Sequence, residues 1–137
     1  MGWLIDTCIW MDMEHGRVAR ADLDRYVGSE PACVSPVTIA EFAVGMETEG
    51  DPESRARRAA ALARLRKEPY LVIDDGTALA YGAIAGLIRR KGRLRDRRVQ
   101  DLWIASQALQ HGFKLLTRNA KDFEDIPGLE LVSFELP

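Results

Sequence analysis

Short apolar runs alternate with longer segments of helical period along this chain. Trp3–Asp6, Ala32–Ser35, Tyr70–Ile73, Phe113–Leu116 and Leu129–Phe134 read as strands. They are nearly all apolar, as expected where both faces of a sheet are covered. Ala19–Val27 is predicted helical, with Leu23 and Val27 on one face. Pro36–Met46 is predicted helical with proline at its start, where the missing N–H costs nothing. Asp51-Pro52-Glu53 supplies a cap, a proline and a first-turn acid for an Ala/Arg-rich helix reaching about Lys67. Thr77–Ile88, rich in Ala and Gly, and Val99–Gln110, stopped by Gly112, complete the set. Strands separated by helices imply right-handed crossovers and a mainly parallel sheet. The expected architecture is a three-layer α/β/α fold, with residues 1–137 forming one domain.

Composition narrows the class. At 137 residues, 47% apolar and 29% charged, the chain suits a single globular core. No apolar run approaches the ~20 residues of a membrane span, and the N-terminus lacks the basic head and long apolar stretch of a signal peptide. Cys8 and Cys33 form no disulfide framework and no zinc spacing, so a reduced, cytoplasmic protein is expected. The net charge of −2 hides an uneven distribution: Arg89–Arg98 carries seven basic residues against one acid. Such a run reads either as a solvated loop or as a cradle for a phosphate backbone.

Three carboxylates stand in surroundings that otherwise read as core. Asp6 closes Trp3-Leu4-Ile5, Glu41 lies within Ser35-Pro36-Val37-Thr38-Ile39-Ala40-Glu41-Phe42, and Asp101 opens Asp101-Leu102-Trp103-Ile104-Ala105. An ionised carboxylate buried alone is very costly, so such groups pair, shift their pKa or hold a metal. Asp6 alone is equally a turn or cap residue after a strand. Glu41 has Val37, Ala40 and Val44 on its helical stripe, with Gly45 leaving room for close approach, so a functional reading leads there. Asp101 shares a face with Ile104, Ala105 and Ala108, though an acid near a helix N-terminus is favourable without any function. Leu115-Leu116-Thr117-Arg118-Asn119 then brings Thr117, Asn119 and Asp122 to the strand-end level of Asp6, unless they merely form a turn. Asp74-Asp75 reads as a helix cap, His15 and His111 as surface groups, and Trp10 and Trp103 as core. Cys8 and Cys33 read as small buried hydrophobes.

In order and spacing these segments, with the closing Pro127-Gly128-Leu129, resemble the PIN domain over nearly the whole chain. The nearest likeness is to the VapC-type toxin ribonucleases of toxin–antitoxin pairs. The resemblance implies a PIN-like fold, acids holding Mg²⁺ or Mn²⁺, hydrolysis of RNA to 5′-phosphate and 3′-hydroxyl ends, and a homodimer. It also implies a small cognate antitoxin that restrains the toxin. Its acidic positions fall on Asp6, Glu41 and Asp101, and its fourth, often Asp, falls on Asn119. That neutral residue puts a tightly held second metal in doubt, and Asp122 either compensates or simply caps the last short helix. The implied mechanism has a metal-activated water attack phosphorus in line, with Glu41 or Asp6 orienting it. Thr7 and Thr117 hydroxyls are expected to meet scissile-phosphate oxygens or metal waters, and Arg93, Arg95, Arg97 and Arg98 to meet flanking phosphates. An antitoxin helix is expected in a groove between Val18–Val27 and Val37–Met46, delivering a basic side chain to the acids.

Other classes fit less well. An aspartyl-nucleophile phosphatase needs a second acid two residues after the first, where this chain has Cys8. A phosphoacceptor receiver domain wants its acid pair at the first strand, whereas Asp74-Asp75 follows the third. The remaining rival is a catalytically inactive PIN scaffold that binds RNA or a protein partner.

Overall fold

In the computed structural model, which describes residues 1–94 and 98–137, four parallel strands form one sheet in the order β2-β1-β3-β4. The strands are β1 (Trp3–Ile5), β2 (Ala32–Cys33), β3 (Lys114–Thr117) and β4 (Leu131–Ser133). Around them run α1 (Thr7–Glu14), α2 (Arg20–Val27), α3 (Pro36–Thr48), α4 (Pro52–Leu65), α5 (Asp75–Arg90) and α6 (Val99–His111).

Alternation along each strand sends side chains to two separate cores. Trp3, Ile5, Val34 and Leu116 face a cluster with Ile9, Trp10, Leu23, Val27, Phe42, Ala61 and Leu65, drawn from α1 to α4. Leu4, Cys33 and Leu115 face the opposite cluster with Ile84, Ile88, Leu102, Ile104, Ala105 and Ala108, drawn from α5 and α6. The expected three-layer α/β/α arrangement is therefore the one observed. Among the described residues, no helix is long and apolar enough to cross a membrane.

Local signals hold where a cap is present. Ser35 Oγ accepts from Val37 N ahead of Pro36, Asp51 accepts from Ser54 N, and Asp74 accepts from Thr77 N. Gly112 ends α6 in the left-handed region at φ 66°, where a Cβ is disfavoured.

Three expectations change. The predicted strand Tyr70–Ile73 makes only one parallel bridge, Val34 to Tyr70. Leu71 packs inward while Tyr70, Val72 and Ile73 stay exposed, and the chain turns at once into the Asp74 cap, so one rung is all that fits. Helix α1 was not among the predicted elements: Asp6 ends the strand and caps a helix in the same residue. The space expected at Gly45 is filled by Arg58 of α4, whose Nη1 would lie 2.9 Å from an added Cβ.

Candidate active site

Asp6 stands where β1 becomes α1, at the carboxyl end of the sheet, and it is 4% exposed. Both of its oxygens are held. Thr7 N donates to Oδ1 at 2.8 Å, and Thr117 Oγ1, one strand away, donates to Oδ2 at 2.7 Å. The Cys8 thiol approaches Oδ2 at 3.5 Å. Burial, and then the Asp6 charge, push that thiol up to about 11, so Cys8 remains a neutral donor rather than a nucleophile.

Glu41 and Asp101 reach the same place from α3 and α6. A pocket of about 100 Å³ is walled by Asp6, Thr7, Cys8, Met11, Glu41, Arg98, Asp101, Asn119 and Asp122. The gathering of the three acids expected from sequence is thus found, together with Asn119, Asp122, Thr7 and Arg98. Hydrogen bonds between layers fix the two helices. Ser35 Oγ donates to Gln107 Oε1 at 2.5 Å, and Gln107 Nε2 donates to the Leu71 carbonyl at 2.6 Å. Thr7 and Thr38 hydroxyls share a 2.6 Å bond that ties α1 to α3, three residues before Glu41.

The electrostatics are those of crowded anions. Burial, and then the Asp6 charge, push Asp101 up to about 6; Arg98 partly opposes the rise, and Asp122 and Glu41 add to it. Burial also raises Glu41, with Arg98 opposing and Asp6 adding. This repulsion is what a divalent cation relieves, and carboxylate and amide oxygens are the donor chemistry that Mg²⁺ prefers. The residues therefore fit such an ion in kind. Among the described residues, no three Asp, Glu, His or Cys side chains already stand close enough to share one, so the acids converge on a pocket rather than a point.

Several expectations are corrected. Thr117 is fully buried and its hydroxyl is committed to Asp6, so it positions the acid instead of meeting a phosphate. The Thr7 hydroxyl is similarly engaged by Thr38. Arg93 pairs with Asp125 at 3.4 Å and is not in the pocket wall. Arg95 and Arg97 lie outside the described residues. Glu41 does not lie on a core-facing stripe: the core face of α3 is Thr38 and Phe42, while Val44 is 61% exposed. Val37, Ala40, Glu41 and Val44 instead line an open cleft of about 490 Å³ with Met11, Gln100 and Trp103. Trp103, expected in the core, is half-exposed there and stacks on Tyr81 with ring centroids 4.3 Å apart. Val18, Leu23 and Val27, expected to offer an apolar groove beside α3, are buried in the core and present no such surface.

Asp12, Thr38, Gln107 and Arg118 were not singled out from sequence. Thr38 was visible as a polar residue on the core face of α3, and Asp12 as an acid among apolar positions. Nothing local pairs Asp12 with Arg118.

Comparison with known proteins identifies the family. The PIN domain family model matches residues 3–129. The chain is 30% identical over 134 residues to Ribonuclease VapC1 of Rickettsia felis, covering 97% of this chain and 96% of that protein. It is 31% identical over 130 residues to Ribonuclease VapC4 of Mycobacterium tuberculosis, covering 95% of each. The fold matches a chain from the crystal structure of Rickettsia felis VapBC2 bound to a promoter DNA fragment. That match has a TM-score of 0.83 and 21% identity, and covers 98% of this chain and 100% of that one. Family model and fold agree, and the chain belongs to the PIN-domain family with the VapC ribonucleases as its relatives.

Proposed function

We propose that this chain is a Mg²⁺-dependent endoribonuclease, the toxin of a toxin–antitoxin pair, with Mn²⁺ able to substitute. The observation that carries the reading is the convergence of Asp6, Glu41 and Asp101 from three separate elements on one pocket, with Asp101 pushed up to about 6. Asp6, Glu41, Asp101 and the Asn119 carbonyl oxygen would hold the ion. When bound, it supplies positive charge to phosphate oxygens and acidifies water.

This chain's own groups do the rest. Asp6 is immobilised through both oxygens and serves as the fixed anchor. Among the described residues Glu41 has no such tether, so its carboxylate is free to turn and would orient the attacking water. Asp101, deprotonated, completes the anionic floor. Arg98, on the pocket wall, meets a phosphate of the bound RNA. Asp122 stands beside Asp101 as an additional acid.

The partner follows from the same surface. The cleft bearing Val37, Val44 and Trp103 opens beside Glu41 and suits the apolar face of an antitoxin segment, whose basic side chain would enter the acid pocket. The VapBC2 structure, bound to promoter DNA, contains a chain of this fold. A cytoplasmic location and a homodimer belong to this reading, the latter tested by solution mass.

The deciding experiment incubates end-labelled RNA with the purified chain in Mg²⁺ or EDTA, beside Asp6→Asn and Asp101→Asn. Either substitution should lower cleavage at least ~10²-fold, the typical cost of a lost metal ligand or activating group. Full activity in either variant would sink the reading, and a wild-type chain that binds RNA without cutting it in Mg²⁺ would leave the inactive scaffold as the better one.

A further inference from the structure

Arg98 is an unusual neighbour for a cation site. It is the residue before α6, its side chain makes no capping hydrogen bond, and it is exposed. Nevertheless it forms part of the pocket wall with Asp6, Glu41, Asp101 and Asp122, and among the described residues it is the one cation there. Its charge acts on Glu41 and on Asp101, from different helices, in the direction that favours their ionised forms. One guanidinium therefore already performs, in part, the electrostatic task of a divalent ion.

Two cations cannot share one small anionic pocket without mutual repulsion. Resting on the metal-nuclease reading above, we propose that Arg98 is a built-in competitor of the metal. Without metal it neutralises Glu41 and Asp101. When a divalent ion takes over that charge, Arg98 is released toward an RNA phosphate. The site is thus tuned to load weakly by itself. Binding of a phosphate to Arg98 and binding of the ion to the acids assist each other, as linkage requires.

Arg98→Gln and Arg98→Lys test this directly, because an exposed residue with no capping bond can be exchanged without disturbing the fold. Mn²⁺ is titrated into wild type and both variants at low ionic strength, with free ion read by electron paramagnetic resonance. Arg98→Gln should bind Mn²⁺ roughly three- to tenfold more tightly, as expected for removing a solvent-exposed charge pair or two. Arg98→Lys should stay near wild type, and the gap should narrow as salt screens the pocket. In EDTA, Arg98→Gln should melt below wild type, and saturating Mn²⁺ should reverse that order. Equal or weaker Mn²⁺ affinity in Arg98→Gln overturns the proposal. If wild type binds Mn²⁺ and Asp101→Asn does not, that failure leaves the metal-nuclease reading intact. If wild type binds no Mn²⁺, both fall together.

Discussion

Arg118 Nε stands 2.6 Å from Asp12 Oδ2, although 106 residues separate the two in sequence. The contact lies off the direction of a good hydrogen bond, so it acts chiefly as an ion pair. Arg118 and Arg17 each reach Oδ1 at 3.4 Å. The carboxylate is 2% exposed and the Arg118 side chain 33%, so the pair is asymmetric. Removing Arg118 leaves the buried charge with only the exposed Arg17 at 3.4 Å, whereas removing the anion leaves arginines that can turn to water. Arg118→Met should therefore cost about 3 kcal/mol. Asp12→Asn should cost less, about 1–2 kcal/mol. Urea unfolding of the two variants checks the order, and a larger loss in Asp12→Asn would contradict it.

Asp101 gives the metal-free protein a specific pH dependence. Its folded pKa, about 6, lies above the ordinary value of 3.8, so the folded state holds the proton more tightly. Stability from this group falls as pH rises from about 4 to about 6, and the full cost persists above that. Because the group is only half-buried, the cost is of order 1 kcal/mol after solvent screening. In EDTA at pH 7, Asp101→Asn should melt above wild type, and the difference should vanish near pH 4. Saturating Mg²⁺ should raise the wild-type melting temperature, about 2.7 kcal/mol of stabilisation at 100 times Kd. Glu41→Gln together with Asp101→Asn should abolish that gain. Binding of the divalent ion should weaken below about pH 6, where Asp101 of the metal-free protein takes up its proton.

Thr117 carries a prediction separable from stability. Thr117→Val keeps the buried shape but removes the donor to Asp6 Oδ2, leaving only the Cys8 thiol at 3.5 Å. Cleavage should drop roughly 10- to 100-fold, as when the support of a metal ligand is lost. Thr117→Ser should retain most activity. Equal activity in the Val and Ser variants would show that the hydroxyl does not position the acid.

Val44 tests the cleft. It is 61% exposed and lies one helical turn from Glu41. Val44→Glu places a charge on an apolar docking surface while leaving the core untouched. The complex with the co-expressed antitoxin should weaken at least about tenfold, a typical loss for a charged group in an interface centre. RNA cleavage by the free chain should persist. Unchanged antitoxin affinity would move the docking site elsewhere.

The sheet and most helices were legible because their signals are local: apolar strand runs, Ser35, Asp51 and Asp74 as caps, and Gly112 as a stop. The acids were legible for a different reason, as charges in apolar company. Periodicity misled at Glu41, since an apolar stripe looks the same whether it faces the core or an open cleft. It misled again at Thr117, where a hydroxyl near the strand end gives no hint that Asp6 already claims it. Asp12–Arg118 and Ser35–Gln107–Leu71 join residues far apart in sequence, so no window along the chain contains either relationship.

The parallel pairing of β1 with β3 has a consequence for how the pocket comes into being. Asp6 and Thr117 lie 111 residues apart, and the Asn119–Asp122 wall follows the same strand. Helices form from local contacts, but this pairing has to close a long loop first. A chain whose helices are formed but whose β3 is undocked therefore holds its acids with nothing to orient Asp6, and the pocket appears only with the centre of the sheet.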